Sequence, residues 1–371
     1  MARSKEKVET TDETDVAEQT KEPVKAAKWM KQLNNMEGAV DFEYQTFAPE
    51  NMVRSTSPYV NWIFGKGSGL ARGLGAIFYG QPKSGKSLLS YLFTAGLHAS
   101  DPEALVIKFN TEMREASQIG DKWGIDRSRY AAYDVNEPEL IFDRLKKEIL
   151  PMVQDGMPLK LIIIDSLQGV SGVKEQDRDS ITNHLMGDHA KTIQDGLKAI
   201  LPILRRHKIG LICTEHIRAN LDAGSYGKKE KMAGGYGEKH FFEYYVEVKR
   251  DTSPEGKVSS TGEKFEGEVV DARGDKEKTG HKIYVRMEDS STGVARRSGI
   301  FTFNYDKGLI NVEEEVFELG KAIKLIERPN NRTYIAYGQT YTSKELMINE
   351  IRDNKELQAQ LLKDIYARDK A

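Results

Sequence analysis

The chain has 371 residues, 39% hydrophobic and 30% charged, with a formal net charge of −2. That balance suits a soluble globular protein with one large domain and a small one, and it provides no global field toward DNA or a membrane. Any nucleic-acid affinity must therefore come from local basic loops. A single cysteine, Cys213, excludes an intrachain disulfide and fits a reducing compartment, and no apolar run is long enough to span a membrane.

Residues 1–27 are mostly Lys, Glu, Thr, Asp and Ala. Such a segment cannot bury enough apolar surface to offset its ordering entropy, so a disordered tail is expected, without the apolar core of a secretory signal. In residues 28–51, "KWMKQLNNM" suggests a short helix and "VDFEYQTFAP" an extended arm. Trp29, Met30, Phe42, Tyr44 and Phe47 are too apolar for a free tail, and are expected to pack on the chain's own core or on a neighbouring subunit. Next come a strand "GAIFYG", a helix from Gly85 to about His98, a strand "ALVIKFN" and a helix-spaced "PELIFDRLKKEIL". "LKLIIIDS" predicts a buried strand ending in a carboxylate, Gly187–Arg206 an amphipathic helix, and "IGLICTEH" another buried strand, with Cys213 a core residue. "YYVEVKR", "HKIYVRM" and "GIFTFNYD" alternate as later strands. Strands alternating with helices predict an α/β fold with a twisted, mainly parallel sheet. The expected core covers 52–312. Beyond it the pattern is mostly helical, predicting a small C-terminal domain over 313–371.

Gly80-Gln81-Pro82-Lys83-Ser84-Gly85-Lys86-Ser87 matches the phosphate-binding pattern G-x-x-x-x-G-K-[ST], between a predicted strand and helix. Its glycines let backbone amides face phosphate, the helix adds its positive end, Lys86 reaches the outer phosphates and Ser87 holds magnesium. ATP or GTP is the expected ligand. Asp165 closes the apolar run Leu161–Ile164, where a carboxylate orienting magnesium belongs; an N-cap or loop role is the plainer alternative. Glu112 lies just past "ALVIKFN", and strand carboxyl ends gather at the ligand in such sheets, so it is the candidate base for the attacking water. Glu215 and His216 end a third strand, where a polar side chain can sense the terminal phosphate or be satisfied locally.

Two long polar segments follow buried strands, Gln168–Gly187 and Arg218–Phe242. The second carries Arg218, Lys228, Lys229, Lys231, Gly234 and Gly235 with Tyr226 and Tyr236, a mixture suited to single-stranded nucleic acid, tempered by Glu230 and Glu238. A solvated loop is the alternative.

The order of these parts resembles the RecA family of DNA strand-exchange recombinases, in particular the phage RecA-like branch typified by UvsX. The resemblance is spread over most of residues 52–366. It rests on "SPYVNWIFGKGSGLARGLGAIFYGQPKSGKS", "NTEMREASQIGDKWGID", "IIIDSLQGV", "CTEHIRANL", "KMAGGYGEKHFFEYYVEVKR" and the closing "GQTYTSKELMINEIRDNKELQAQLLKDIYA". It implies a RecA-like ATPase core, an oligomerisation arm at 28–51 and a small C-terminal domain. Glu112 falls on the family's catalytic glutamate, Asp165 on its Walker-B aspartate and His216 on its γ-phosphate sensor. The implied activity is ATP- and Mg2+-dependent: a helical homo-oligomer on single-stranded DNA searches homologous duplex and exchanges strands, and hydrolysis releases the DNA. Single-strand-binding and mediator or loader proteins are implied partners, a membrane is not, and the implied location is the cytoplasm (of a bacterial host if phage-encoded). Three positions depart from bacterial RecA. Ile119 stands where a tyrosine stacks on adenine, and Arg286 and Glu288 stand where two lysines cross the subunit interface. Arg286 could still act in trans as a cation, with Lys282, Arg296 and Arg297 nearby. A hexameric RecA-fold helicase and an ATP-gated mediator or scaffold are the alternative readings.

Overall fold

In the computed structural model of the chain, the described residues are 29, 31–32, 47–65, 68–113, 123–167, 188–219, 230–232, 240–251, 257–258, 280–304 and 308–368. Met1–Tyr44 and Gln45–Ala371 form two compact units. In the first, Trp29, Lys31 and Gln32 are helical and exposed. The tail expected over 1–27 lies outside the described residues, as does most of the expected arm. No helix among the described residues is long and apolar enough to cross a membrane.

The second unit opens with β1 (Met52–Val53), α1 (Pro58–Ile63) and β2 (Leu70–Ala71), with β1 and β2 paired antiparallel. Six strands then build a parallel sheet. They are β3 (Gly75–Gly80), β4 (Leu105–Asn110), β5 (Tyr130–Asp134), β6 (Leu159–Asp165), β7 (Gly210–Ala219) and, after the short β8 (Glu230–Met232), β9 (Tyr244–Arg250). Their spatial order is β9-β3-β7-β6-β4-β5, each neighbouring pair parallel. Helix α2 (Lys86–Ser100) follows β3. After β5 the helical stretch runs as α3 (Pro138–Arg144), a π turn (Leu145–Ile149) and α4 (Leu150–Gln154), and α5 (Asp188–Arg206) precedes β7.

Strands buried on both faces read as continuous apolar runs, because alternate residues serve opposite layers. Ala76, Phe78, Leu161, Ile163 and Ile212 pack with Leu89, Leu92 and Phe93 of α2. Ile77, Ile162, Ile164, Leu211 and Cys213 pack with Ile141, Leu145, Leu197 and Ile200 on the opposite face. The sheet continues past β9 as an antiparallel wing: β11 (Gly280–Ser290), β12 (Ser298–Asn304) and β13 (Gly308–Ile310), with β10 (Lys257–Val258) paired to β11. Along β11, His281, Ile283, Val285 and Met287 are buried in alternation, as the period-2 pattern predicts.

The C-terminal region is α6 (Val312–Ala322), a hairpin of β14 (Tyr334–Ala336) and β15 (Gln339–Tyr341), then α7 (Lys344–Asp353) and α8 (Lys355–Arg368). These elements enclose a small core of their own around Phe317, Leu319, Met347, Ile351, Leu361 and Ile365. Tyr59 and Trp62 of α1 pack against it. Besides short elements such as β1, β2, β8, β10 and β13, two larger features differ from the sequence reading. Strand β5 was not expected, and the hairpin interrupts a region that reads as helical.

Candidate active site

The carboxyl ends of β3, β4, β6 and β7 converge beside the N-terminus of α2, as expected at the crevice of a doubly wound sheet. They surround a cavity of about 310 Å³ whose walls include Lys83, Gly85, Lys86, Glu112, Asp165 and His216.

The loop from Gly80 to Ser87 owes its path to its two glycines. Gly85 has φ +104°, and a Cβ there would lie 2.6 Å from Ile283 Cδ1. A Cβ on Gly80 would collide with the Val248 carbonyl oxygen. Strands β9 and β11 thus form a floor that only a glycine can approach so closely. Gln81, Pro82 and Lys83 are exposed at the bend, while Ser84 is buried. The Ser84 hydroxyl has no hydrogen-bond partner among the described residues, an orphaned polar group in a loop shaped to meet oxygen.

Lys86 is buried. Its Nζ donates to the carbonyls of Gly80 and Gln81 at 3.0 Å each and lies 3.2 Å from His216 Nδ1. Burial holds its ammonium below the ordinary lysine range, against the opposing pull of Asp165, Glu112 and Glu215. His216 Nε2 is in turn 2.8 Å from Glu112 Oε1, and the Ser166 hydroxyl lies 3.4 Å from the same oxygen. Glu112 is held near Asp165 by backbone and side-chain bonds: Thr111 N donates to Asp165 O at 2.8 Å, and the Thr111 hydroxyl donates to Ser166 O at 2.7 Å.

Asp165 is a buried acid at the end of β6. Burial pushes its carboxyl up, but the Lys108 charge and hydrogen bonds from Thr214, Ser87 and Lys108 more than offset this, leaving it below the usual carboxylate range. Lys108 Nζ is 3.1 Å from Asp165 Oδ2 and donates to the Tyr91 hydroxyl at 2.7 Å, with its ammonium over the Tyr91 ring. Lys108 was missed in the sequence, because a lysine inside an apolar strand carries no signal of its partner. An anionic Asp165 hydrogen-bonded to the Ser87 hydroxyl is a donor pair suited to a hard divalent cation such as magnesium. Among the described residues no group of three or more His, Cys, Asp or Glu is placed to hold a metal ion.

The structure thus brings Gly80, Gly85, Lys86, Ser87, Glu112, Asp165 and His216 together. Ile119 lies outside the described residues. Arg286 is on β11, half-exposed and 3.7 Å from Glu288, and is not part of the cavity wall of its own chain. On the second loop, Arg218 ends in β7 and Lys231 in β8, directly opposite each other in the antiparallel register. Lys228, Lys229, Gly234 and Gly235 lie outside the described residues, as does the segment 168–187.

No family model matches the chain. The chain is similar to protein RecA of Sulfurovum sp. (strain NBC37-1), 24% identical over 212 residues, which are 55% of this chain and 58% of that protein. It therefore spans little more than half the length of the curated relative it matches. A relationship to the RecA family is supported over that stretch, and the mostly parallel sheet is consistent with a RecA-like core.

Proposed function

We propose that this chain is an ATP-dependent recombinase of the RecA type, of the phage UvsX-like branch, that forms helical filaments on single-stranded DNA and exchanges strands with homologous duplex. One observation carries the reading. The phosphate loop, a buried magnesium-type carboxylate, a candidate base and a polar sensor meet at one cavity, on a strand that runs into the second loop.

In this reading ATP is the substrate. The loop amides and Lys86 bind its phosphates, and the orphaned Ser84 hydroxyl finds its partner there. Ser87 and Asp165 hold magnesium, which supplies charge neutralisation at the phosphates when bound. Glu112 positions and deprotonates the attacking water. His216 lies on β7, which continues to Arg218 and Ala219, so its state passes along one strand to the segment proposed to hold DNA. Lys228, Lys229, Lys231, Gly234 and Gly235 belong to that segment. Arg286 faces a neighbouring subunit's nucleotide, and residues 28–51 dock on an adjacent core. Residues 313–371 form the small C-terminal domain. The partners are single-stranded and homologous double-stranded DNA, further copies of this chain, and single-strand-binding and loader proteins, in a bacterial cytoplasm.

The test is electron microscopy of the protein on long single-stranded DNA with a slowly hydrolysed ATP analogue. Continuous helical filaments are expected. Discrete six-membered rings would replace the reading with a helicase, and scattered particles on bare DNA with a mediator or scaffold.

A further inference from the structure

Lys86, His216 and Glu112 form one hydrogen-bonded chain, and it fixes the proton on the imidazole. An ammonium donates and cannot accept. Lys86 Nζ lies 3.2 Å from Nδ1, so Nδ1 presents its lone pair. The ring hydrogen is therefore on Nε2, which donates to Glu112 Oε1 at 2.8 Å. In this arrangement the His216 ring stands between a cation on one flank and a carboxylate on the other. The three N–H bonds of Lys86 are all committed, two of them to the carbonyls of Gly80 and Gln81.

A phosphate engages Lys86 by drawing N–H groups from these acceptors. Resting on the nucleotide reading above, we propose that His216 takes up a proton from solvent when a nucleoside triphosphate binds, and works as an imidazolium between Glu112 and the bound phosphates. The cause is the change of charge around the ring. Once Lys86 turns its N–H to phosphate, Nδ1 loses that donor and stands beside added negative charge, while Nε2 still faces Glu112. Anions on both flanks favour the charged imidazole. Magnesium held by Ser87 and Asp165 would offset part of the added charge, but a magnesium-bound triphosphate still brings net negative charge, and the other charged and titratable groups facing this cluster do not cancel it. Lys83 is exposed at the loop, and Lys108 is paired to Asp165. Glu215, next in the chain, accepts from the His216 backbone N–H and adds further negative charge. Tyr91, His281 and Asp165 complete the titratable lining of the cavity. The step moves one proton from buffer to Nδ1 and nothing else.

The test is titration calorimetry of the full chain with magnesium and the γ-thio analogue of ATP at pH 8, repeated in buffers of different ionisation enthalpy. An uptake of about one proton per nucleotide is expected, because the ring carries one N–H before binding and two after it. Affinity should fall as pH rises, with a slope equal to the proton uptake measured at each pH. His216→Gln should bind nucleotide without the uptake. In wild-type protein labelled with 15N-histidine, one ring should pass from the Nε2–H tautomer to the doubly protonated form, a readout that needs no variant. Bound nucleotide with zero uptake overturns the proposal and leaves the nucleotide reading standing. Undiminished uptake in His216→Gln also overturns it, since another group then carries the proton. Absence of any binding heat or nucleotide-induced shift overturns both.

Discussion

Lys108 and Asp165 show how much of the site depends on a pairing between strands. Both are buried, and each leaves the other's charge uncompensated if it is removed. Lys108→Met should cost about 3–5 kcal/mol of stability in urea denaturation, the usual penalty for breaking a buried ion pair. The double change Lys108→Met with Asp165→Asn should recover much of it. If the single variant loses less than about 1 kcal/mol, the pair is not a buried charge pair in solution. Glu112 tests the chemistry instead. Glu112→Gln should keep nucleotide affinity and lower ATP turnover by about 10²–10⁴-fold, the range expected for a lost general base. Turnover at the parent rate would remove Glu112 from that role. The two residues differ in legibility. Glu112 announces itself by its place at a strand end after a full phosphate loop, whereas Lys108 looks like any strand lysine until its neighbour across β4 and β6 is known.

Elements were legible where burial is two-sided. β3, β6 and β7 are apolar runs closed by polar residues, and that termination is also what marks Asp165 and His216. β5 escaped because "YAAYD" is a half-exposed edge strand with two alanines, so neither an apolar run nor a clean alternation marks it. The hairpin β14–β15 escaped because three-residue strands carry too little pattern. β7 is longer than its apolar run, reaching Ala219 and pairing with β8, so the entry to the second loop is an antiparallel ribbon. On the proposed reading this ribbon holds two cations opposite each other, Arg218 and Lys231. Replacing both with alanine should weaken single-stranded DNA binding at every sequence and reduce the salt slope of log K by about 1.4, which is about 0.7 for each of two lost phosphate contacts. An unchanged slope in a fluorescence-anisotropy titration would place the ribbon away from the phosphates.

At the scale of the second unit, a buried acid ties the C-terminal region to α1. Glu315 of α6 accepts from the Ser57 hydroxyl at 2.6 Å and the Tyr59 N–H at 3.0 Å, capping α1 from a distant part of the chain. In the sequence it lies within "EEEV", which reads as a solvated face, so its burial was not legible. Burial pushes its carboxyl up to about 8, against the Ser57 and Tyr59 hydrogen bonds and with help from Glu313 and Glu314. The folded chain therefore keeps a proton that the unfolded chain releases near the ordinary carboxyl value. The stability linked to Glu315 is complete below about pH 4.5 and is lost as pH rises to about 8, by an amount on the order of 4 kcal/mol. Glu315→Gln should remove that slope, so the difference in unfolding free energy between the two proteins should change steadily between pH 5 and 8. A constant difference would mean that Glu315 is ionised in the folded chain.

The same joint continues inward. Just before α1, Thr56 N donates to Leu92 O of α2 at 3.1 Å, and Gly96 of α2 sits so close to the Arg54 carbonyl that no Cβ fits between them. Helix α2 begins at Lys86. Mechanically, the C-terminal helices and the phosphate loop are two ends of a short strut with α1 as its middle. A load hung on the C-terminal helices reaches the middle of α2, at Leu92 and Gly96, through hydrogen bonds and a tight backbone contact.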